Sequence, residues 1–340
     1  MKTVSRVISS AILLALSVGL FLLGKSSPHI FNLWYPATSQ WLLGIIGGLT
    51  AKVPVPLWEA VAIGLAVWFV ISLVRAIGKK KLLRWLSGVL HGAAIGVFLF
   101  MLLWGGSHLT PTKTEQFVSV RPSTAQELID ACQYFGQMAD ESYTTILPAE
   151  FDSLTETVEQ GFWAYEAFPK ADITIKPLLL GEIYHYLNTT GIFVPMTAET
   201  CVSGDAYPSS LPYIMCHEAA HRMGAAAEED ANFCAFLACV ENPDPRYQYS
   251  GWYSAFVYCY NALCEMDAAA AEAVMEGVSE NLKKDIWAAN DYYAGFEGKV
   301  QDAAEAVNDT YLTALGQQGV RSYGLVSDAL TAWYRQNMAG

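Results

Sequence analysis

The chain has 340 residues, 53% of them apolar and only 16% charged, with a formal net charge of −13. That charge is split: residues 1–104 carry nine Lys/Arg and one acid, Glu59, for a net +8, while the rest carries eleven Lys/Arg against thirty-two Asp/Glu, for −21. The length admits more than one domain, and so acidic a body would repel phosphate backbones, which excludes nucleic acid as a partner.

The basic N-terminal part reads as a membrane anchor, residues 1–105, in contact with the lipid bilayer. Three stretches, 7–24, 57–78 and 82–105, have the length and apolarity of transmembrane helices. The first has a charged start, but "LLGKSSPH" offers no small-x-small cleavage site, so it reads as an uncleaved helix rather than a signal peptide. "WLLGIIGGL" (41–49) is too short to cross and is expected to lie at the surface or against the spans. The short loop between spans two and three holds Arg75, Lys79, Lys80, Lys81 and Arg84, whereas the long 25–56 loop holds only Lys25 and Lys52. The positive-inside rule then places the N-terminus and the lysine cluster in the cytoplasm, and everything from residue 106 outside. His91 falls within span three, where an ionisable group either serves function or bonds across a helix contact.

A Thr-, Ser- and Pro-containing linker (106–124) leads into the body, residues 125–340. "STAQELIDACQYFGQMADES" opens with a Ser/Thr cap and carries Leu128, Cys132 and Phe135 near helical spacing. "EFDSLTETVEQGFWAYEAF" repeats the pattern. Strand signals follow in "DITI" (172–175) and "GIFVPMTAETCV" (191–202), and beyond residue 208 nearly all is helix-like. "GWYSAFVYCYNALC" (251–264) is very apolar, but its fourteen residues suit a buried helix rather than a fourth span. The expected fold class is α+β, mainly helical, with a small sheet. All seven cysteines lie in the body, none with C-x-x-C spacing, so a thiolate zinc site is not expected and most should be buried as small hydrophobes.

The chemistry concentrates in "SSLPYIMCHEAAHRMGAAAEEDANF" (209–233). Ser209 or Ser210 can cap a helix, Pro212 suits its first turn and Gly224 its end. His217 and His221, four residues apart, would then share a face and reach one ion. Glu218 lies beside that face, the H-E-x-x-H arrangement in which zinc acidifies a water and the Glu takes its proton. The plainer alternative is two partly buried histidines on an amphipathic helix. Against it stand the small Ala219 and Ala220 between them and the acids Glu228, Glu229 and Asp230 just beyond, any of which could supply a third ligand. Stepping back by eight from Phe236, on the buried face of the next helix, selects Glu228; Glu229 is its closest rival, and Asp230 lies farther round and is shorter. Asn232, on the same face as Glu228, could orient a ligating His. Tyr249, Tyr253 and Tyr323 could stabilise an oxyanion, Arg246 and Arg321 could clamp a carboxylate, and His185 could ligate, although packing and ion-pair roles suit each of these better.

The sequence resembles an uncharacterised family of bacterial membrane proteins, a domain of unknown function whose motif points to zinc metallopeptidases. The resemblance rests on "GIFVPMTAET", "CHEAAHRMG", "EEDANFCAFLAC", "YSGWYSA" and "GVRSYG", and spans the anchor and most of the body. It departs from the family where Ala219 replaces the more frequent Leu and Asp230 the more frequent Glu, the latter weakening Asp230 as ligand. "EEDAN" also resembles the Glu-x-x-Ala-acid ligand pattern of several zinc peptidase families, with Glu228 at the ligand position and Asn232 where the acid would stand. The resemblance implies a zincin-like domain with "GIFVPMTAET" as the edge strand above the cleft. The expected protein is a membrane-anchored, extracytoplasmic zinc metallopeptidase acting on a peptide or protein substrate. His217, His221 and Glu228 would hold Zn²⁺, and Glu218 would be the general base. The rival is a membrane scaffold or sensor with a structural zinc.

Overall fold

The computed structural model describes residues 2–147, 150–314 and 322–338. The chain is mainly helical with one small sheet, and it divides into two compact units, Met1–Thr110 with Val194–Glu199, and Pro111–Phe193 with Thr200–Gly340.

The first unit contains α1 (Lys2–Ser26), α2 (Pro28–Asn32), α3 (Tyr35–Thr50), α4 (Leu57–Gly78) and α5 (Leu82–Leu103). Of these, α1, α4 and α5 are long and apolar enough to cross a membrane, and their Val, Leu and Ile side chains are largely exposed. Such a surface is stable only in an apolar solvent. The His91 ring on α5 meets Ser9 and Ser10 of α1, its Nδ1 lying 3.4 and 3.2 Å from their hydroxyls, so its polarity is used at a helix contact. The short apolar tract at 41–49 belongs to the longer α3, which is tied to the end of α5: Tyr35 donates to the Met101 carbonyl (3.1 Å) and Ser39 to that of Leu103 (2.5 Å). Pro56 precedes α4 and offers no side-chain cap. The orphan N–H groups of Leu57 and Trp58 instead donate to the two carboxylate oxygens of Glu199, each at 2.8 Å.

The second unit holds α6 (Ala125–Glu141), α7 (Phe151–Thr155), β1 (Ile175–Pro177), α8 (Gly181–His185), most of the hairpin β2 (Gly191–Val194) and β3 (Glu199–Val202), then α9 (Leu211–Arg222), α10 (Glu228–Glu241), α11 (Pro245–Met266), α12 (Ala268–Glu276), α13 (Glu280–Ala294), α14 (Lys299–Ala314) and α15 (Ser322–Asn337). The strand order is β1-β3-β2; β1 runs parallel to β3 with Lys176 opposite Cys201, which leaves β2 at an edge. Only the last residue of "DITI" joins β1, because the Ile173 N–H is taken by the Glu159 carboxylate rather than by a ladder partner. The expected linker is ordered, with 3₁₀ turns at Gly105–Leu109 and Thr114–Gln116.

Aromatic side chains from four helices build the core. Phe236 (α10) stands edge-on to Trp333 (α15) at 5.0 Å and to Trp252 (α11) at 5.4 Å, with Phe135 (α6) 5.7 Å away. This packing fixes α10, and with it whatever the first turn of α10 presents. All seven cysteines are free, six of them buried and Cys264 exposed, as small hydrophobes behave.

Candidate metal centre

The motif helix α9 is held at both ends. At its start the Ser209 hydroxyl donates to Asp285 (2.8 Å), and the Tyr213 N–H, orphaned in the first turn, donates to the Ser250 hydroxyl of α11 (3.0 Å). At its end Gly224 adopts φ +99°, a backbone region that a side chain disfavours. The reversal brings the Gly224 N–H to the His221 carbonyl (2.9 Å) and the Ala225 N–H to that of Ala220 (3.0 Å), a Schellman closure. The same turn aims the Ala225 carbonyl back at His221, whose Nδ1 lies 2.7 Å from it.

Three residues later α10 begins, with Glu228, Glu229 and Asp230 in its first turn, where carboxylates complement the helix dipole. The three acids go to different places. Glu228 reaches the histidine pair, its carboxylate oxygens lying 3.3 Å from His217 Nε2 and 3.7 Å from His221 Nε2. Asp230 is buried and turned away: it accepts from the Lys113 N–H (3.0 Å), the Thr114 N–H (2.8 Å) and the Thr114 hydroxyl (2.7 Å). Glu229 is half-buried, and desolvation raises its pKa. Among the described residues, His217, His221 and Glu228 form the one group of three His, Cys, Asp or Glu able to share a metal ion, with ligand atoms all within 4.8 Å.

The donor set suits a cation. Ala225 O can only accept, so His221 Nδ1 carries its proton and Nε2 is left as the ligand atom. His217 Nδ1 lies 3.0 Å from Asn232 Oδ1, which also accepts from the Tyr258 hydroxyl (3.0 Å), while the Tyr213 hydroxyl donates to the Asn232 main-chain carbonyl (2.8 Å). Both imidazoles therefore aim Nε2 at Glu228. Two imidazole nitrogens and one carboxylate are donor types that a divalent cation such as zinc takes.

The electrostatics agree. Burial by itself would lower the His221 pKa, but Glu228 and Glu218 overcome it and hold it up at about 9. Burial would raise the Glu228 carboxyl, yet the two histidines pull it well below the carboxylate range. The pocket thus favours positive charge, as protons or as a metal ion. Glu218 is buried beside it, and desolvation raises its pKa, only partly countered by His217 and His221. The Phe193 N–H of β2 donates to this carboxylate. Gly191, on the same strand, must lack a side chain: a Cβ there would stand 2.6 Å from Glu218 Cγ.

The other candidates fall elsewhere. Tyr249 donates to Asp285 (2.6 Å), Arg246 is committed to Asp244 (2.5 Å) and Glu150 (3.6 Å), and buried His185 meets the Ser203 hydroxyl (3.3 Å). Tyr253 is buried in the aromatic packing against Tyr249. Arg321 and the Tyr323 side chain lie outside the described residues. Sequence reasoning missed Tyr213 and Tyr258. Tyr213 carried a signal, since it precedes His217 by four residues on the same helix face; Tyr258 carried none.

A helix bearing two histidines, packed against a helix bearing their carboxylate and joined to membrane-length helices, defines the class of molecule. The family model described as "Protein of unknown function (DUF3810)" matches residues 32–331, and the chain belongs to that family. No curated protein and no solved structure matches it.

Proposed function

We propose that the protein is a membrane-anchored zinc metallopeptidase with a zincin-like domain on the extracytoplasmic side. The observation that carries this reading is the convergence of His217 Nε2, His221 Nε2 and the Glu228 carboxylate, with both Nδ1 atoms already engaged and Glu218 adjacent. The Lys79–Lys81 cluster between α4 and α5 supports the assignment of sides.

His217, His221 and Glu228 would hold Zn²⁺, which when bound would acidify a water and polarise a peptide carbonyl. Glu218, its pKa raised by burial, is suited to take the water's proton and deliver it to the leaving amine. Asn232 and Ala225 O keep the imidazoles in the ligating tautomer. The edge strand β2 supplies a rail on which an extended peptide could pair, running past Glu218.

One observation favours the rival reading of a structural zinc in a scaffold or sensor: Glu218 is only 5% exposed and its carboxylate is engaged by the Phe193 N–H. Glu218→Gln separates the two. The peptidase reading expects zinc retained near one equivalent and hydrolysis of a mixed peptide library lost, because Gln fills the space and cannot accept the proton. Equal hydrolysis by both forms refutes it.

A further inference from the structure

We propose that the segment Leu179–Leu187, in the second unit, is a membrane-contacting surface that rests in the interfacial layer of the bilayer. Five large apolar side chains are exposed within nine residues: Leu179 (57%), Leu180 (45%), Ile183 (55%), Tyr186 (44%) and Leu187 (40%). They surround α8, whose Gly181 and His185 are buried, so one side of this short element is packed; the exposed side carries these apolar side chains with one carboxylate, Glu182, and Tyr186 also meets the Phe296 ring at 5.1 Å. Elsewhere in the second unit exposed large hydrophobics are scattered in the sequence, as at Trp163 or Trp287, the ordinary condition of a protein surface. A contiguous run marks an interaction site.

Two observations select lipid as the occupant. The first is continuity with the anchor. Seven residues after Leu187 the chain enters Val194–Glu199, which belongs to the first unit. There Glu199 caps the first turn of the membrane-length helix α4, and Thr50 donates to the Thr197 carbonyl (3.0 Å). The first turn of such a helix lies at the membrane–water boundary. Seven residues span at most ~25 Å even when fully extended, which tethers Leu187, the near end of the patch, to that boundary. The second is charge. In a body of net −21, residues 177–197 contain a single charged residue, Glu182. Leu and Ile with a Tyr and no Lys or Arg describe a surface that enters the headgroup and upper acyl region by apolar burial rather than by attraction to anionic lipid. The proposal is independent of the metal reading.

The test uses the full chain in phosphatidylcholine nanodiscs. On a Cys264→Ser background, whose other six cysteines are buried, a nitroxide is attached at Ile183→Cys, with Leu180→Cys as a second site and Trp287→Cys, comparably exposed, as control. Collision rates with oxygen, which partitions into lipid, are compared with those of a water-soluble nickel chelate. The proposal expects oxygen to dominate several-fold at positions 183 and 180 and nickel at 287, unchanged by added phosphatidylserine or by high salt. Nickel access at 183 and 180 equal to that at 287 overturns it. So does exclusion of both reagents, which would mean protein cover, or dipolar broadening between labels, which would mean a second copy of the chain.

Discussion

Replacing Glu228 and Asp230 by alanine should produce opposite defects, although the two are separated by one residue. Glu228 is the acid that touches both histidines, at 3.3 and 3.7 Å, and its own side chain is 37% exposed. Loss of a residue that merely orients a ligand costs 10–100-fold in metal affinity, so loss of a ligand should cost at least about 100-fold, ~2.8 kcal/mol. The metal-free fold should change little at pH 8, since His221, relieved of the carboxylate that holds its pKa at about 9, can shed its proton. Asp230 instead anchors Lys113 and Thr114 through three hydrogen bonds of 2.7–3.0 Å, two of them from backbone N–H groups. Bonds to a charged acceptor contribute about 1.5–3 kcal/mol each and less than additively, so Asp230→Ala should cost roughly 3–4 kcal/mol. In a body of this size that corresponds to a Tm lower by about 6–16 °C. Zinc affinity, by competition with a chelating dye, and thermal unfolding of the metal-free full-length protein in detergent are both measurable on one preparation. If Asp230→Ala lost zinc while Glu228→Ala bound it normally, the assignment of the three acids would be wrong.

Gly224→Ala should destabilise by about 1 kcal/mol or more, because φ +99° disfavours a Cβ, and should also weaken zinc binding, because the Ala225 carbonyl would leave His221; normal values of both in calorimetry and titration would refute the coupling. Asn232→Leu should lower zinc affinity about 10–100-fold with hydrolysis falling in proportion to zinc occupancy, whereas Tyr258→Phe, which leaves His217 its acceptor, should cost only a few-fold. Glu127 is bonded first by Arg121 and then by Thr124 and Arg335, which hold its carboxyl down at about 2. A carboxyl whose folded pKa is depressed contributes stability that is full above its unfolded value near 4.5 and lost as pH falls toward 2; the stability difference between wild type and Glu127→Gln should therefore shrink across that window in unfolding titrations.

The anchor was legible because lipid imposes one rule along the whole chain: about twenty apolar residues must follow one another, and α1, α4 and α5 obey it. The limits of α3 were not legible from its apolar tract, since its first turns are fixed by Tyr35 and Ser39 bonding to carbonyls at the far end of α5. The cap of α4 was invisible for the same reason. Its donors are Leu57 and Trp58, and the acceptor, Glu199, comes about 140 residues later. Nothing local marks that carboxylate as different from any other.

At the site the division between legible and hidden follows sequence separation closely. Within α9 the spacing of His217 and His221 is a property of the helix itself, and the stop at Gly224 is a property of one residue, so both could be read directly. The buried register of the next helix, counted back from Phe236, pointed to Glu228 but left Glu229 as a close rival. The geometry brings Glu228, and not Glu229 or Asp230, to the histidine pair. What the sequence could not supply is why the register is single-valued. Asp230 is drawn to Lys113 and Thr114, more than a hundred residues upstream, and Asn232 is drawn to Tyr213 on α9 and Tyr258 on α11. These two attachments act on opposite sides of the first turn of α10. Rotating α10 by one residue to present Glu229 or Asp230 would break three bonds to a buried carboxylate and remove the acceptor from His217 Nδ1, leaving polar groups unsatisfied at a cost of several kcal/mol. The third position is therefore set less by Glu228 than by the neighbours that hold the helix around it.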